Sequence, residues 1–239
     1  MLPIKLYNGR PGSDPNPWKV ALVLSELKVP YRTEWLDYDE TKEQPFLSLN
    51  PNGRLPAIVD PNKNVTLFES GAIINYLIDT YDPYNKLTYG KDRPQERYLV
   101  QSWLMFQTSK QGPMFGQKMR VALSHAEENL TTATKRYSTE TKRICIAIDG
   151  ALRDQRKKLD LSEQGTVWLV GDHYTFADLS FVPWNVTLLR EIGNKWEDEL
   201  PEFYKWHNHL VALPEVRRVL DLQTQCMQTM RNTAADVWI

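Results

Sequence analysis

The chain has 239 residues, a formal net charge of −1, 41% hydrophobic residues and 25% charged residues. That is long enough for a large core or for two domains, and the near-neutral charge gives no electrostatic footing for nucleic acid or an anionic membrane surface. No apolar run approaches the roughly 20 residues that span a bilayer. The N-terminal MLPIKLYNGR has no signal-peptide apolar core, and two cysteines, Cys145 and Cys226, make no disulfide framework. A reducing, cytoplasmic home is therefore the expectation.

In chain order, Ile4–Tyr7 reads as a first strand, followed by a loop over Asn8–Pro17. From Trp18 the pattern turns helical, with Val20, Ala21, Val23, Leu24 and Leu27 on an apolar face. Tyr31–Leu36 is a second strand, and a short helix is expected near Glu43–Leu49. Leu55–Asp60 is an apolar run bounded by Gly53 and Pro61, and Val65–Phe68 is another, with turn composition between them; together they predict a hairpin. A helix follows, with Ile73, Ile74, Leu77, Ile78 and Tyr81 at helical spacing.

Tyr81–Pro94 is polar and turn-rich, the best boundary in the chain, which divides it as 1–84, a linker over 85–94, and 95–239. Beyond it no convincing strand occurs. Gln95–Gln111 is helical (Leu99, Trp103, Phe106) and should break at Gly112-Pro113. Glu127–Leu159 reads as a long, charge-laced helix whose buried stripe is Leu130, Ala133, Tyr137, Ile144, Ile148 and Leu152. Thr175 and Asp178 have capping-box spacing and open a largely apolar helix. After Leu220, with Met227, Met230 and Trp238, an additional packed helix is the simplest reading.

The chemistry concentrates between Leu47 and Leu77. Pro56 cannot donate to a sheet ladder; a cis bond before it would turn the Leu55 N–H and C=O outward for a peptide-like ligand. Glu69 and Ser70 stand where a strand becomes a helix, which places a carboxylate, a hydroxyl and unpaired N–H groups together. Such a site suits a ligand with both an ammonium and a carboxylate, as in an amino acid or γ-glutamyl group. No metal site is expected: His207 and His209, two apart in a helix, point to different faces, and His125 and His173 have no ligand-like company. The eight Trp fall on helical faces rather than a basic patch. The loop over Asn8–Pro17 contains no cysteine, so disulfide chemistry through a protein thiol is not expected there.

NPNGRLPAIVD, a hairpin and ESGAIINYL resemble the glutathione-binding half of the thioredoxin-like domain of glutathione transferases. Ser13-Asp14-Pro15-Asn16-Pro17-Trp18-Lys19-Val20-Ala21 resembles the S-x-P-N-x-x-K-V-A pattern of the fungal nitrogen-regulator-like class, and the bacterial nu class shares the Pro-Asn pair. Gly171-Asp172 through Asp178 is similar to a structural segment of the family. The resemblance implies an N-terminal thioredoxin-like βαβ-α-ββα domain followed by an all-helical domain.

It also implies a homodimer and a glutathione co-substrate held at Asn16, Arg54, Leu55, Pro56, Glu69 and Ser70, with Lys42 or Gln44 at the glycine end. The catalytic role falls to Asn16, beside the sulfur. Trp18, Met114, Phe115 and Met119 would line the pocket for a small apolar electrophile; a disulfide or peroxide substrate, or a glutathione-binding regulatory module with little turnover, are the other readings. Asp14 departs from the nu-class pattern: a carboxylate near a thiolate either points away or lowers activity. An Asn before an amphipathic helix also fits a simple N-cap.

Overall fold

A computed structural model describes residues 1–124 and 131–235, and in it the chain divides into two compact units. One comprises Met1–Lys86 with the residues from Ala212 on; the other is Leu87–Val211. The expected segments at His125, Glu127, Leu130 and Trp238 lie outside the described residues.

The first unit is built on a four-stranded sheet in the order β2-β1-β3-β4. β1 (Ile4–Gly9) buries alternate residues and lies parallel to β2 (Tyr31–Leu36). Parallel neighbours need a crossover, which α1 (Pro15–Glu26) supplies. A short α2 (Phe46–Leu49) precedes the antiparallel hairpin of β3 (Ala57–Asp60) and β4 (Val65–Phe68). α3 (Ser70–Tyr81) closes this arrangement.

Two differences from the sequence reading matter for the site. α1 begins at Pro15 rather than Trp18, because Asp14 caps it: its carboxylate accepts the Asn16 N–H at 2.9 Å. Pro15 then occupies the first helical position, where a missing N–H costs nothing. Second, the last helix, α9 (Pro214–Ala235), joins the first unit instead of the helical one. It packs on α1, joined to it by an Arg218 Nη2–Ser25 Oγ bond of 3.1 Å, and its own Val216 and Val219 are 0% exposed. α1 is thus covered on more than the one face that its apolar spacing marks.

The second unit contains α4 (Pro94–Phe106), α5 (Gly112–Ser124), α6 (Thr131–Lys158), α7 (Phe176–Ile192) and α8 (Pro201–Ala212). The expected break at Gly112-Pro113 is replaced by a wider helical turn over Gln107–Gln111, in which Gly112 N–H reaches back to the Gln107 carbonyl. Pro113 has no N–H and its ring crowds the carbonyl four residues back; widening the preceding turn accommodates it without ending the helix. The buried stripe of α6 holds at Ile144, Ile148 and Leu152, whereas Ala133 and Tyr137 are only half-buried. Cys145 lies in the core, and burial pushes its thiol up to about 12.

Asp178, fully buried, ties this unit together. It accepts from Leu169 N at 3.0 Å, Thr175 N at 2.9 Å, Thr175 Oγ1 at 3.0 Å and the Trp206 indole at 2.9 Å. The capping box read from Thr175 and Asp178 is formed.

His207 on α8 is 5% exposed, its Nδ1 has no partner, and burial pulls its pKa from 6.5 down to about 4. Above pH 6.5 the ring is neutral in folded and unfolded chains alike. Below that, only the unfolded chain takes up the proton until pH reaches about 4, so this group's contribution to stability is lost across that window as pH falls. Urea unfolding at pH 7, 5.5 and 4 should show the decline, and His207→Leu should flatten it. A decline of the same size in the variant would assign it to other groups.

Candidate functional site

Every residue of α1 is buried except Asn16. Asn16 opens onto a cavity of about 370 Å³ lined by Asn16, Asn50, Asn52, Arg54, Leu55, Pro56, Glu69 and Ser70. Three parts of the first unit converge there: the start of α1, the loop between α2 and β3, and the start of α3.

The loop supplies one wall. Asn50 ends α2; its Nδ2 donates to the Arg54 carbonyl at 2.6 Å and its Oδ1 accepts the Asn52 N–H at 3.0 Å. Such Asn-centred turns are what Asn-Pro-Asn-Gly composition encodes. Gly53 has φ +59, and a Cβ there would stand 2.7 Å from the Thr41 carbonyl, so only glycine fits the turn. The Leu55–Pro56 peptide is cis, as the sequence suggested, and so are Arg10–Pro11 and Gln44–Pro45. The β3 pairings begin at Ala57, which leaves Leu55 outside the ladder.

The α3 N-terminus supplies the opposite wall. Glu69 precedes it with φ +64 and makes no side-chain cap bond. Its carboxylate is therefore not spent on the helix, and the first-turn N–H groups have no side-chain acceptor from it. Ser70 is 6% exposed at the first helical position.

Two ionisable groups, Asp14 and Lys19, stand close to Asn16 in α1. Lys19 lies on the same face of α1 as Asn16, one turn on, and is 1% exposed. Burial pulls its pKa down to about 7, against the opposing pull of Asp14 and Glu69. Asp14 is pushed up by burial, countered by the Asn16 N–H, Lys19 and Arg54. The question raised by Asp14 has a geometric answer: its carboxylate is the helix cap, turned onto the positive end of α1. The cap is Asp14 and not Asn16.

The other residues expected at the site have contacts of their own. The Lys42 ammonium donates to the Gly53 carbonyl, and Gln44 Oε1 accepts from Ser48 at 2.6 Å; neither lines the cavity. Trp18 is 2% exposed, donates from Nε1 to the Gly12 carbonyl at 2.7 Å and packs 6.2 Å from the Trp35 ring, so it braces the loop from inside. On α5, Phe115 is buried, while Met114 and Met119 are half-buried. Asn50 and Asn52 were not singled out from sequence, although the Asn-Pro-Asn-Gly turn was the available signal. Among the described residues no group of three or more His, Cys, Asp or Glu is placed to hold a metal ion.

The family model for the glutathione S-transferase N-terminal domain matches residues 2–79, and the model for the C-terminal domain matches residues 113–214. The chain belongs to the glutathione S-transferase family. Among curated relatives, the glutathione S-transferase-like protein OpS6 of Beauveria bassiana is 38% identical over 218 residues, covering 91% of this chain and 94% of that one. Among solved structures, the glutathione transferase URE2P8 of Phanerochaete chrysosporium, with oxidized glutathione, has a TM-score of 0.83 and 32% identity over 94% of this chain and 96% of that one. The nitrogen regulation fragment of the yeast prion protein Ure2p has a TM-score of 0.82 and 38% identity over 92% and 96% of the two chains.

The capping geometry of this transferase-family α1 is directly testable. Asp14→Ala should cost about 0.5–2 kcal/mol in denaturant unfolding, and Asp14→Ser should recover most of it, because a serine hydroxyl serves the same N–H. Equal losses in the two variants would mean that the carboxylate charge, rather than the cap bond, is what matters.

Proposed function

We propose that this chain is an enzyme that binds glutathione in the α1–α3 cavity and stabilises its thiolate for attack on a small apolar electrophile. The observation that carries the reading is that Asn16, alone unburied in α1, shares one cavity with Leu55, Glu69 and Ser70. Glu69 would pair with the γ-glutamyl ammonium, and Ser70 with its carboxylate at the α3 N-terminus. The Leu55 backbone, outside the ladder, would pair with the cysteinyl backbone. Arg54, with Asn50 and Asn52 beside it, would take the glycine carboxylate.

A free thiol titrates near about 8.5, so at pH 7 only a few per cent of glutathione is nucleophilic. The Asn16 side-chain amide and the α1 N-terminus are the proposed stabilisers. Neither accepts a proton, which makes the effect electrostatic. Asn16→Ala should lower kcat roughly tenfold to a hundredfold, the low end for loss of one donor, with a smaller change in KM for glutathione because the lost contact is with sulfur. It should also raise the pKa of bound glutathione, read as thiolate absorbance in the ultraviolet. Unchanged kcat and unchanged absorbance would move the donor elsewhere, with Ser13 the first alternative.

The likeness to a nitrogen regulation fragment favours a second reading, a glutathione-binding regulatory module with little turnover. A conjugation assay on an activated aryl halide, beside disulfide and peroxide assays, separates the two: binding by calorimetry without turnover in any of them would favour the module.

A homodimer is proposed from α4, where Tyr98 (69% exposed), Leu99 (37%) and Met105 (48%) leave apolar surface in solvent. Light scattering at micromolar concentration should give twice the chain mass, and Tyr98→Glu should halve it; a monomer in the parent protein would refute the assignment. The proposed location is the cytoplasm, consistent with unpaired Cys145 and Cys226.

A further inference from the structure

The loop that leads into α1 is held from an unexpected distance. Gly12 sits at φ +86, with its N–H on the Gly9 carbonyl at 2.6 Å. Its own carbonyl takes two donors: the Trp18 indole at 2.7 Å and Gln223 Nε2 at 3.4 Å. Gln223 stands 211 residues along the chain, on α9. It is 3% exposed, and its Oε1 is buried without a partner.

Stability does not explain an amide there. One ordinary hydrogen bond returns no more than an orphaned buried acceptor costs, and methionine, of similar length, would fill the space with no polar atom to satisfy. What the amide does supply is a second, differently directed donor to the Gly12 carbonyl. That carbonyl lies two residues before the cap Asp14 and four before Asn16. α9 is itself fixed to the far end of α1 by Arg218 on Ser25 and by the Glu215–Lys28 pair, so it forms a rigid strut beside the helix.

We propose that Gln223 is a positioning residue: through it, α9 fixes the Gly12 loop so that the Asn16 amide is aimed at the ligand sulfur. The inference rests on the assignment of Asn16 as the thiolate donor. Small displacements of a donor are costly because electrostatic stabilisation depends on pre-set geometry.

The test compares Gln223→Met, Asn16→Ala and the double variant. Gln223→Met should keep or raise the melting temperature, lower kcat roughly threefold to tenfold with little change in KM for glutathione, and raise the pKa of bound glutathione. In the double variant kcat should fall no further than in Asn16→Ala alone, since Gln223 acts through Asn16. Gln223→Leu gives a second apolar replacement with the same expectation. Asn16→Ala with an effect and Gln223→Met with none would overturn the strut alone. Asn16→Ala with no effect would overturn the donor assignment and this inference with it. Multiplied losses in the double variant, or a fall in melting temperature of several degrees in both single-site replacements of Gln223, would make Gln223 a packing residue and overturn the proposal.

Discussion

The burial of α1 is the constraint on which the site depends. A helix covered by the sheet, α3 and α9 cannot rotate or slide without opening the core of its unit. Its N-terminus is therefore a fixed point, and the groups there inherit that fixity: the Asp14 cap, the partly exposed Asn16 and the inward Lys19. The Trp18 indole on the Gly12 carbonyl extends the same rigidity backward into the loop. Under the proposed function this rigidity would matter, because donors that must reorganise lose much of their advantage.

The charges beside Asn16 are arranged in opposition. Lys19 is costly to bury, and its lowered pKa registers that cost even with Asp14 and Glu69 nearby. Asp14 faces the same desolvation and is balanced by the helix end it caps. No lining residue of the cavity is a histidine, tyrosine or cysteine. Tyr7, the phenol in β1, lies on Phe46 at 5.7 Å and lines a separate cavity of about 160 Å³. The polar lining of the first cavity is instead made of amides, the Arg54 guanidinium, the Glu69 carboxylate and the Ser70 hydroxyl.

The second unit uses a different device. The fully buried Asp178 gathers a loop backbone, a helix cap and an indole of this unit onto one carboxylate. The wide turn at Gln107–Gln111 carries buried amides into the interior, where Gln111 Nε2 donates to Asn185 Oδ1 at 2.7 Å. Buried polar contacts of this kind contribute less to net stability than to a unique arrangement of the helices.

Most of the fold was legible in the sequence, since strand alternation, helix periodicity and turn residues are local signals. The alternation of Ile4–Tyr7, the hairpin over Leu55–Phe68 and the Thr175–Asp178 box are each encoded within a few residues. Much of the candidate site was legible for the same reason: Leu55-Pro56 and Glu69-Ser70 are local junctions whose backbone chemistry does not depend on distant partners. What sequence could not decide were the matters settled by long-range packing. The Asp14 cap and the Asn50–Arg54 turn are not among them: both close within a few residues and are local signals that apolar periodicity overlooks. α9 follows the helices of the second unit in the chain, yet it packs on α1. Local periodicity says that a helix has an apolar face; only the tertiary structure decides which surface covers it, because that choice depends on contacts between residues some two hundred positions apart.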